Sequence, residues 1–230
     1  MRYLDKLDPF KGNVYTAHGK ALHAALEHNY RQKITSRIDL PASELVPVFN
    51  ASFDKELKAI GESMTDAVEN MRLQGEEMLY EYLKQIAPFI QPSHVEMKFQ
   101  IDLQSIGVTI LGFLDLITED EIIVDHKTVG TSTWQTWSKC YVDNLVQLTV
   151  YSLAYRKLFN KAERGVRIDL LKRLKGGTTF SQIESRRTDG DVMVLINLIK
   201  QMKSIVENDL RYPNLNHCRD CELSDICSRK

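Results

Sequence analysis

At 230 residues, with 43% hydrophobic and 27% charged side chains, the chain has the size and balance of one globular domain with room for a helical annex. Its formal net charge of −1 argues against a general polyanion binder. No apolar run is long enough to cross a bilayer, and the opening Met1-Arg2-Tyr3-Leu4-Asp5-Lys6 lacks the apolar core of a secretion signal, so a cytoplasmic protein with no membrane partner is expected.

The charge is unevenly spread. Residues 156–187 hold ten Lys or Arg against three acids, whereas residues 39–96 hold eleven acids against four bases. Such asymmetry fits either one basic face able to follow a phosphate backbone or a set of solvated helix faces.

In chain order, Thr16 can cap a helix through His28, with Ala21, Leu22, Ala25 and Leu26 at helical spacing. Pro41 and Pro47 read as breaks, followed by helical patterns over Phe49–Ile60 and Met64–Ile86. At Val95–Leu103 the period changes to strict apolar–polar alternation, the signature of a half-buried strand. Ile106–Ile117 and Glu121–Lys127 read as two more strands, and the tight connections predict an antiparallel meander. Asn144–Phe159 is predicted helical, Val166–Leu174 and Thr178–Arg187 are predicted strands, and a last helix covers Asp191–Leu210. The expectation is one α/β domain over residues 1–230. It divides into a helical annex (1–92), a core (93–190), and a C-terminal helix with a cysteine tail (191–230).

Asp115 and Asp125 flank the turn of the second and third strands, so their carboxylates can converge at one sheet edge. Lys127, two residues past Asp125, points to the same face. Two carboxylates beside a lysine suit a hard-metal site for Mg²⁺ or Mn²⁺, which can polarise a phosphate oxygen while the lysine stabilises developing charge. By itself such a triplet arises often by chance.

Several further elements appear in order. They are His23 within Gly19-Lys20-Ala21-Leu22-His23-Ala24-Ala25-Leu26-Glu27, Val95-Glu96, Gly112-Phe113-Leu114-Asp115, Val124-Asp125-His126-Lys127-Thr128, and Gln147-Leu148-Thr149-Val150-Tyr151. Together with Tyr212-Pro213-Asn214 and a C-x2-C-x5-C tail, this series resembles the RecB-type branch of the PD-(D/E)XK nucleases over nearly the whole chain.

The resemblance implies a restriction-endonuclease-like core, a central mixed β-sheet flanked by helices, with an N-terminal helical annex. It implies a Mg²⁺- or Mn²⁺-dependent deoxyribonuclease, of exonuclease or flap type, acting on single-stranded DNA or duplex ends in DNA processing, repair or recombination. The implied metal ligands are His23, Asp115, Asp125 and the backbone carbonyl of His126, with Glu96 metal-proximal or just behind the ligands. Gln147 and Tyr151, at i and i+4 on one helix face, would border the site and help position the strand or Lys127. Histidine ligation suits Mn²⁺ at least as well as Mg²⁺.

Trp134 and Trp137 could stack on unpaired bases or pack on the sheet. The chain lacks G-x4-G-K-[ST], so helicase activity would come from a partner. Free-standing relatives of this length belong to phages, mitochondria and CRISPR adaptation systems, which places the chain in a bacterial or phage-infected cell. Alternatives are a nuclease-like module that binds without cutting, or a subunit of a larger repair or CRISPR-adaptation assembly.

Three of the four cysteines, Cys218, Cys221 and Cys227, crowd the tail, and the fourth is Cys140. In a cytosolic protein this reads as metal or cluster binding. Cluster-bearing relatives complete these three with a cysteine upstream of the histidine, and this sequence has none before His23. Either an N-terminal segment has been lost, or Cys140 substitutes, or there is no 4Fe-4S cluster. Zinc is the alternative, with water or His217 as the fourth ligand.

Overall fold

The computed structural model describes residues 12–130, 134–174 and 176–210. The cysteine tail, His217 and Tyr212-Pro213-Asn214 lie outside the described residues.

The first helix, α1 (Val14–Ser36), starts where Asn13 and Thr16 cap each other reciprocally, Asn13 Oδ1 accepting from Thr16 N–H at 3.0 Å and Thr16 Oγ1 from Asn13 N–H at 2.8 Å. Ala17, Ala21, Leu22, Ala25 and Leu26 form its buried stripe. The next helix, α2 (Ala42–Ile60), contains Pro47 instead of beginning after it. Proline removes the bond to the carbonyl four residues back, here that of Ser43, and both residues are exposed, so water can take that carbonyl. Helix α3 (Asp66–Gln85) is capped by Thr65 and buries Val68, Met78, Leu79 and Tyr82.

Three strands follow, β1 (Pro92–Leu103), β2 (Val108–Thr118) and β3 (Ile122–Gly130). A short helix α4 (Lys139–Asp143) leads to α5 (Val146–Phe159), which carries the chain back to β4 (Gly165–Leu174). Strand β5 (Gly177–Ser185) and helix α6 (Asp189–Glu207) complete the described fold.

The sheet order is β1-β2-β3-β4-β5, antiparallel except for the parallel β3–β4 pair. A parallel pair needs a crossover, and α5 supplies it. Two cores result. Helices α1–α3 pack on one face through Leu22, Phe49, Phe53 and Leu79 against Val95, Leu116 and Val124. Helices α5 and α6 cover the other, with Leu148, Ala154 and Leu195 against Leu114, Ile123 and Ile168. The expected annex therefore forms one of the two covering layers. This is a mixed sheet flanked by helices, the restriction-endonuclease-like arrangement. Among the described residues no helix is long and apolar enough to cross a membrane.

Gly112 in β2 faces Phe99 in β1, and a Cβ there would sit 2.4 Å from the ring. Gly112→Ala is expected to destabilise the protein by about 1–3 kcal/mol through overpacking. Phe99→Leu should relieve most of that cost, so a double-mutant cycle of denaturant midpoints checks the contact. Additive losses would show that Phe99 is not what excludes the methyl group.

Candidate active site

Strands β2 and β3 pair only at Leu116–Val124 and Ile117–Ile123, and then part. The expectation that the carboxylates meet at a sheet edge is corrected here. Because α5 returns the chain to place β4 outside β3, both strands are internal and the acids meet in the gap between them. There the backbone N–H of His126 donates to Asp115 Oδ2 at 3.0 Å, and its carbonyl accepts from His23 Nε2 at 2.9 Å.

His23 reaches the gap from α1. With Nε2 donating to that carbonyl, Nδ1 lies 3.6 Å from Asp115 Oδ2. Glu96 lies between the Val95–Leu116 and Met97–Leu114 pairs of β1 and β2, at a positive φ of 46°. His23, Glu96 and Asp115 each offer one ligand atom within 4.8 Å of the others. An imidazole nitrogen with carboxylate oxygens is a donor set for a divalent cation.

Asp125 stands beside this group, facing α5. Its Oδ1 accepts from Lys127 Nζ at 3.1 Å, Gln147 Nε2 at 3.1 Å and Tyr151 Oη at 3.3 Å. Gln147 Nε2 also donates to Tyr151 Oη at 2.7 Å. Lys127 Nζ also lies 2.8 Å from the buried Asp125 Oδ2, so the ammonium is the positive partner of this carboxylate.

The titration shifts follow from crowding. Burial, then the charges of Asp115 and Glu27, push the Glu96 carboxyl up to about 7. Burial and Asp115 also raise Asp125, against the pull of Lys127. His126, between these residues in sequence, turns its ring to the opposite face. There Nε2 meets Tyr82 Oη at 3.1 Å, and Tyr82 meets Tyr30 at 2.8 Å. Burial holds the His126 ring well below its ordinary pKa, hence neutral.

The structure thus gathers His23, Glu96, Asp115, Asp125, Lys127, Gln147, Tyr151 and the His126 carbonyl at one gap. The Tyr30–Tyr82–His126 chain was not apparent in the sequence as part of this region. Tyr82 was legible only as a buried aromatic, and its pairing with residue 126 is a long-range contact. Cys140 is exposed and joins no group of metal-ligating side chains among the described residues. Trp137 packs edge-on against Tyr141 at the margin of the core beneath α5, while the Trp134 side chain lies outside the described residues.

The basic stretch 156–187 does not form one free basic face. Arg156 bonds Glu163 and Asp189, Lys161 pairs with Glu121, and Arg167 pairs with Asp169. Arg187 is held by the carbonyls of Val142 and Leu145.

Acids converging where an internal strand pair splays, beside a lysine two residues on, define a metal-type site on a nuclease-like sheet. A family model, the PD-(D/E)XK nuclease superfamily, matches residues 1–228, and the chain belongs to that superfamily. Among solved structures, the "putative exonuclease" from Eubacterium rectale is 14% identical at a TM-score of 0.52, covering 100% of this chain and 93% of its own, and it shares the fold. A second, SSO0001, is 17% identical over 92% of this chain and 84% of its own, with a TM-score of 0.38, too low to carry an argument. No curated protein matches the chain.

An acid whose pKa is raised on folding favours the fold while protonated. For Glu96 that stability is fully present below its ordinary pKa and is lost as pH rises through about 7. In chelator-treated protein, Asp115→Asn removes a repelling charge while keeping an oxygen to accept from His126 N–H. The variant is expected to melt a few degrees above the parent at pH 8, with the gap shrinking toward pH 6. Equal melting curves at pH 8 would show that the carboxylates do not strain the metal-free fold.

Proposed function

We propose that this protein is a metal-dependent deoxyribonuclease that hydrolyses phosphodiester bonds from DNA ends, using Mg²⁺ or Mn²⁺ at the gap between β2 and β3. The observation that carries the reading is the convergence there of Asp115 and Asp125 with Lys127, beside His23 and Glu96. Superfamily membership supports nuclease chemistry, and the exonuclease mode draws on the name of the Eubacterium rectale neighbour.

His23, Glu96, Asp115, Asp125 and the His126 carbonyl would hold the cation. When bound, it supplies positive charge to a phosphate oxygen and favours attack by water. In hydrolysis the water oxygen forms a bond to phosphorus, the bond to the departing sugar oxygen breaks, and a proton reaches that oxygen. Lys127, fixed by Asp125, is placed to hydrogen-bond a phosphate oxygen as charge builds on it. Gln147 and Tyr151 hold Asp125 Oδ1, so a cation would share Oδ2 with Lys127. Imidazole in the ligand set favours Mn²⁺ at least as much as Mg²⁺.

Linear and circular DNA, single- and double-stranded, should be incubated with the protein and either metal. The wild type is expected to degrade linear and spare circular DNA. Asp125→Ala and Lys127→Ala should each lose activity by about 100-fold or more, the scale of removing one preorganised group. Variants that cut as well as the parent would refute the catalytic assignment, and rapid cutting of circular DNA would refute action from ends.

A further inference from the structure

The β1–β2 hairpin does not stop at Glu96 and Asp115. The same β1–β2 register continues with Lys98 opposite Phe113 and Gln100 opposite Leu111. Intervening residues turn the other way, with Phe99, Ile101 and Leu114 buried under α5 and α6. Phe113 and Leu111 are therefore presented outward, with 52% and 63% of their surface exposed. Lys98 is exposed and makes no ion pair among the described residues.

Nothing in the fold requires this row to be apolar. Gly112 and Leu114 already supply the packing on β2, and an exposed Phe beside an exposed Leu costs solubility without adding to a core. What marks the row is continuity with the site. Phe113 is two residues from Asp115, about 7 Å along a strand.

We infer that the outward face of the β1–β2 hairpin is the seat of an unpaired DNA strand, with Phe113 stacking on a base next to the scissile phosphate. The inference rests on the nuclease reading above and names the form of substrate that reading takes. An aromatic ring engages the face of a base, and base faces are free only where neighbours are unstacked, so the row takes a single strand or a melted end rather than intact duplex. Leu111 extends the apolar surface to the next base. Lys98, beside Phe113 and without a carboxylate partner, supplies the charge for a backbone phosphate. The same arrangement supplies what the committed arginines of residues 156–187 do not, a free cation next to an unpaired apolar surface.

The test uses full-length protein and a fluorescein-labelled single-stranded oligonucleotide. Affinity is read by anisotropy in chelator, and KM for cutting is read with Mn²⁺. Phe113→Ala should weaken binding and raise KM by about tenfold, the effect of losing one stacked base. Phe113→Trp should restore both values. Lys98→Ala should lower the dependence of log affinity on log salt by about one contact. Because the side chains are exposed, melting temperatures should stay near the parent value.

If the wild type cuts DNA and both Phe113→Ala and Leu111→Ala leave affinity and KM within about twofold, the inference is overturned while the nuclease reading stands. Loss of a dimer in these variants, with DNA binding intact, would also overturn it by assigning the face to a second copy. If the wild type binds the oligonucleotide through Phe113 but cuts nothing, the nuclease reading fails and the strand seat survives.

Discussion

The open flank of the His126 peptide is the constraint on which the site depends. Strand β3 is hydrogen-bonded to β4 along its whole length, but β2 leaves it after Val124. A buried strand cannot leave an N–H and a carbonyl facing an empty gap without a cost of roughly 1–3 kcal/mol per group. Here Asp115 takes the N–H and His23 takes the carbonyl. Two side chains of the site thus stand in for the missing strand. They hold the splay open at the width of a carboxylate and an imidazole. A cation that draws on the His126 carbonyl and the Asp115 carboxylate would replace one set of satisfied groups with another, without requiring the strands to move.

Electrostatics acts against this arrangement and is contained from outside. Glu96, Asp115 and Asp125 crowd together, and Glu96 adopts a backbone conformation that non-glycine residues rarely take. Strain of this kind costs on the order of 1–3 kcal/mol and persists only where surrounding structure enforces it. The enforcement is visible on both sides of the sheet. Helix α5 delivers Gln147 and Tyr151, one turn apart, to a single oxygen of Asp125. The layer of α1 and α3 fixes the His126 ring through Tyr82 and Tyr30. Chemistry and stability are opposed at the acids and allied in the layers that support them.

Much of this was legible in sequence because it is local. Period-2 alternation gave β1, the meander followed from its tight turns, and the i, i+4 spacing put Gln147 and Tyr151 on one face. The order of His23, Glu96, Asp115, Asp125 and Lys127 carried the family resemblance. What the sequence hid depends on pairing between distant segments. The site's position inside the sheet follows from β4 joining β3 on its far side, which no spacing within residues 106–127 reveals. Pro47 looked like a helix break because proline removes a helix hydrogen bond, whereas here the freed carbonyl lies on a solvent-facing turn that water can reach. The run of basic residues between Arg156 and Arg187 left a binding face and solvated helix faces equally open because its partners, Glu121, Asp189 and two backbone carbonyls, are remote in sequence. Glu96 ranked lowest among the candidate ligands. It enters the ligand group through a cross-strand position and an unusual φ, both visible only in three dimensions.

Alternation along Asp125-His126-Lys127 explains why these jobs can share three consecutive residues. On a strand, the first and third side chains point to one face and the middle one to the other. Asp125 and Lys127 therefore face α5, while His126 sends its ring into the opposite layer and leaves only its peptide groups at the gap. A residue between Asp125 and Lys127 offers backbone to the gap and anchorage to the fold. Its side chain must also remain neutral in a buried environment, which the depressed His126 pKa achieves. An ionised side chain at this position would bring an unpaired charge against Tyr82 and Tyr30. A small one would leave the two tyrosines without their third partner and loosen the carbonyl that His23 holds. The identity of residue 126 is thus set by the layer behind the site, although its contribution to the site is made by its backbone.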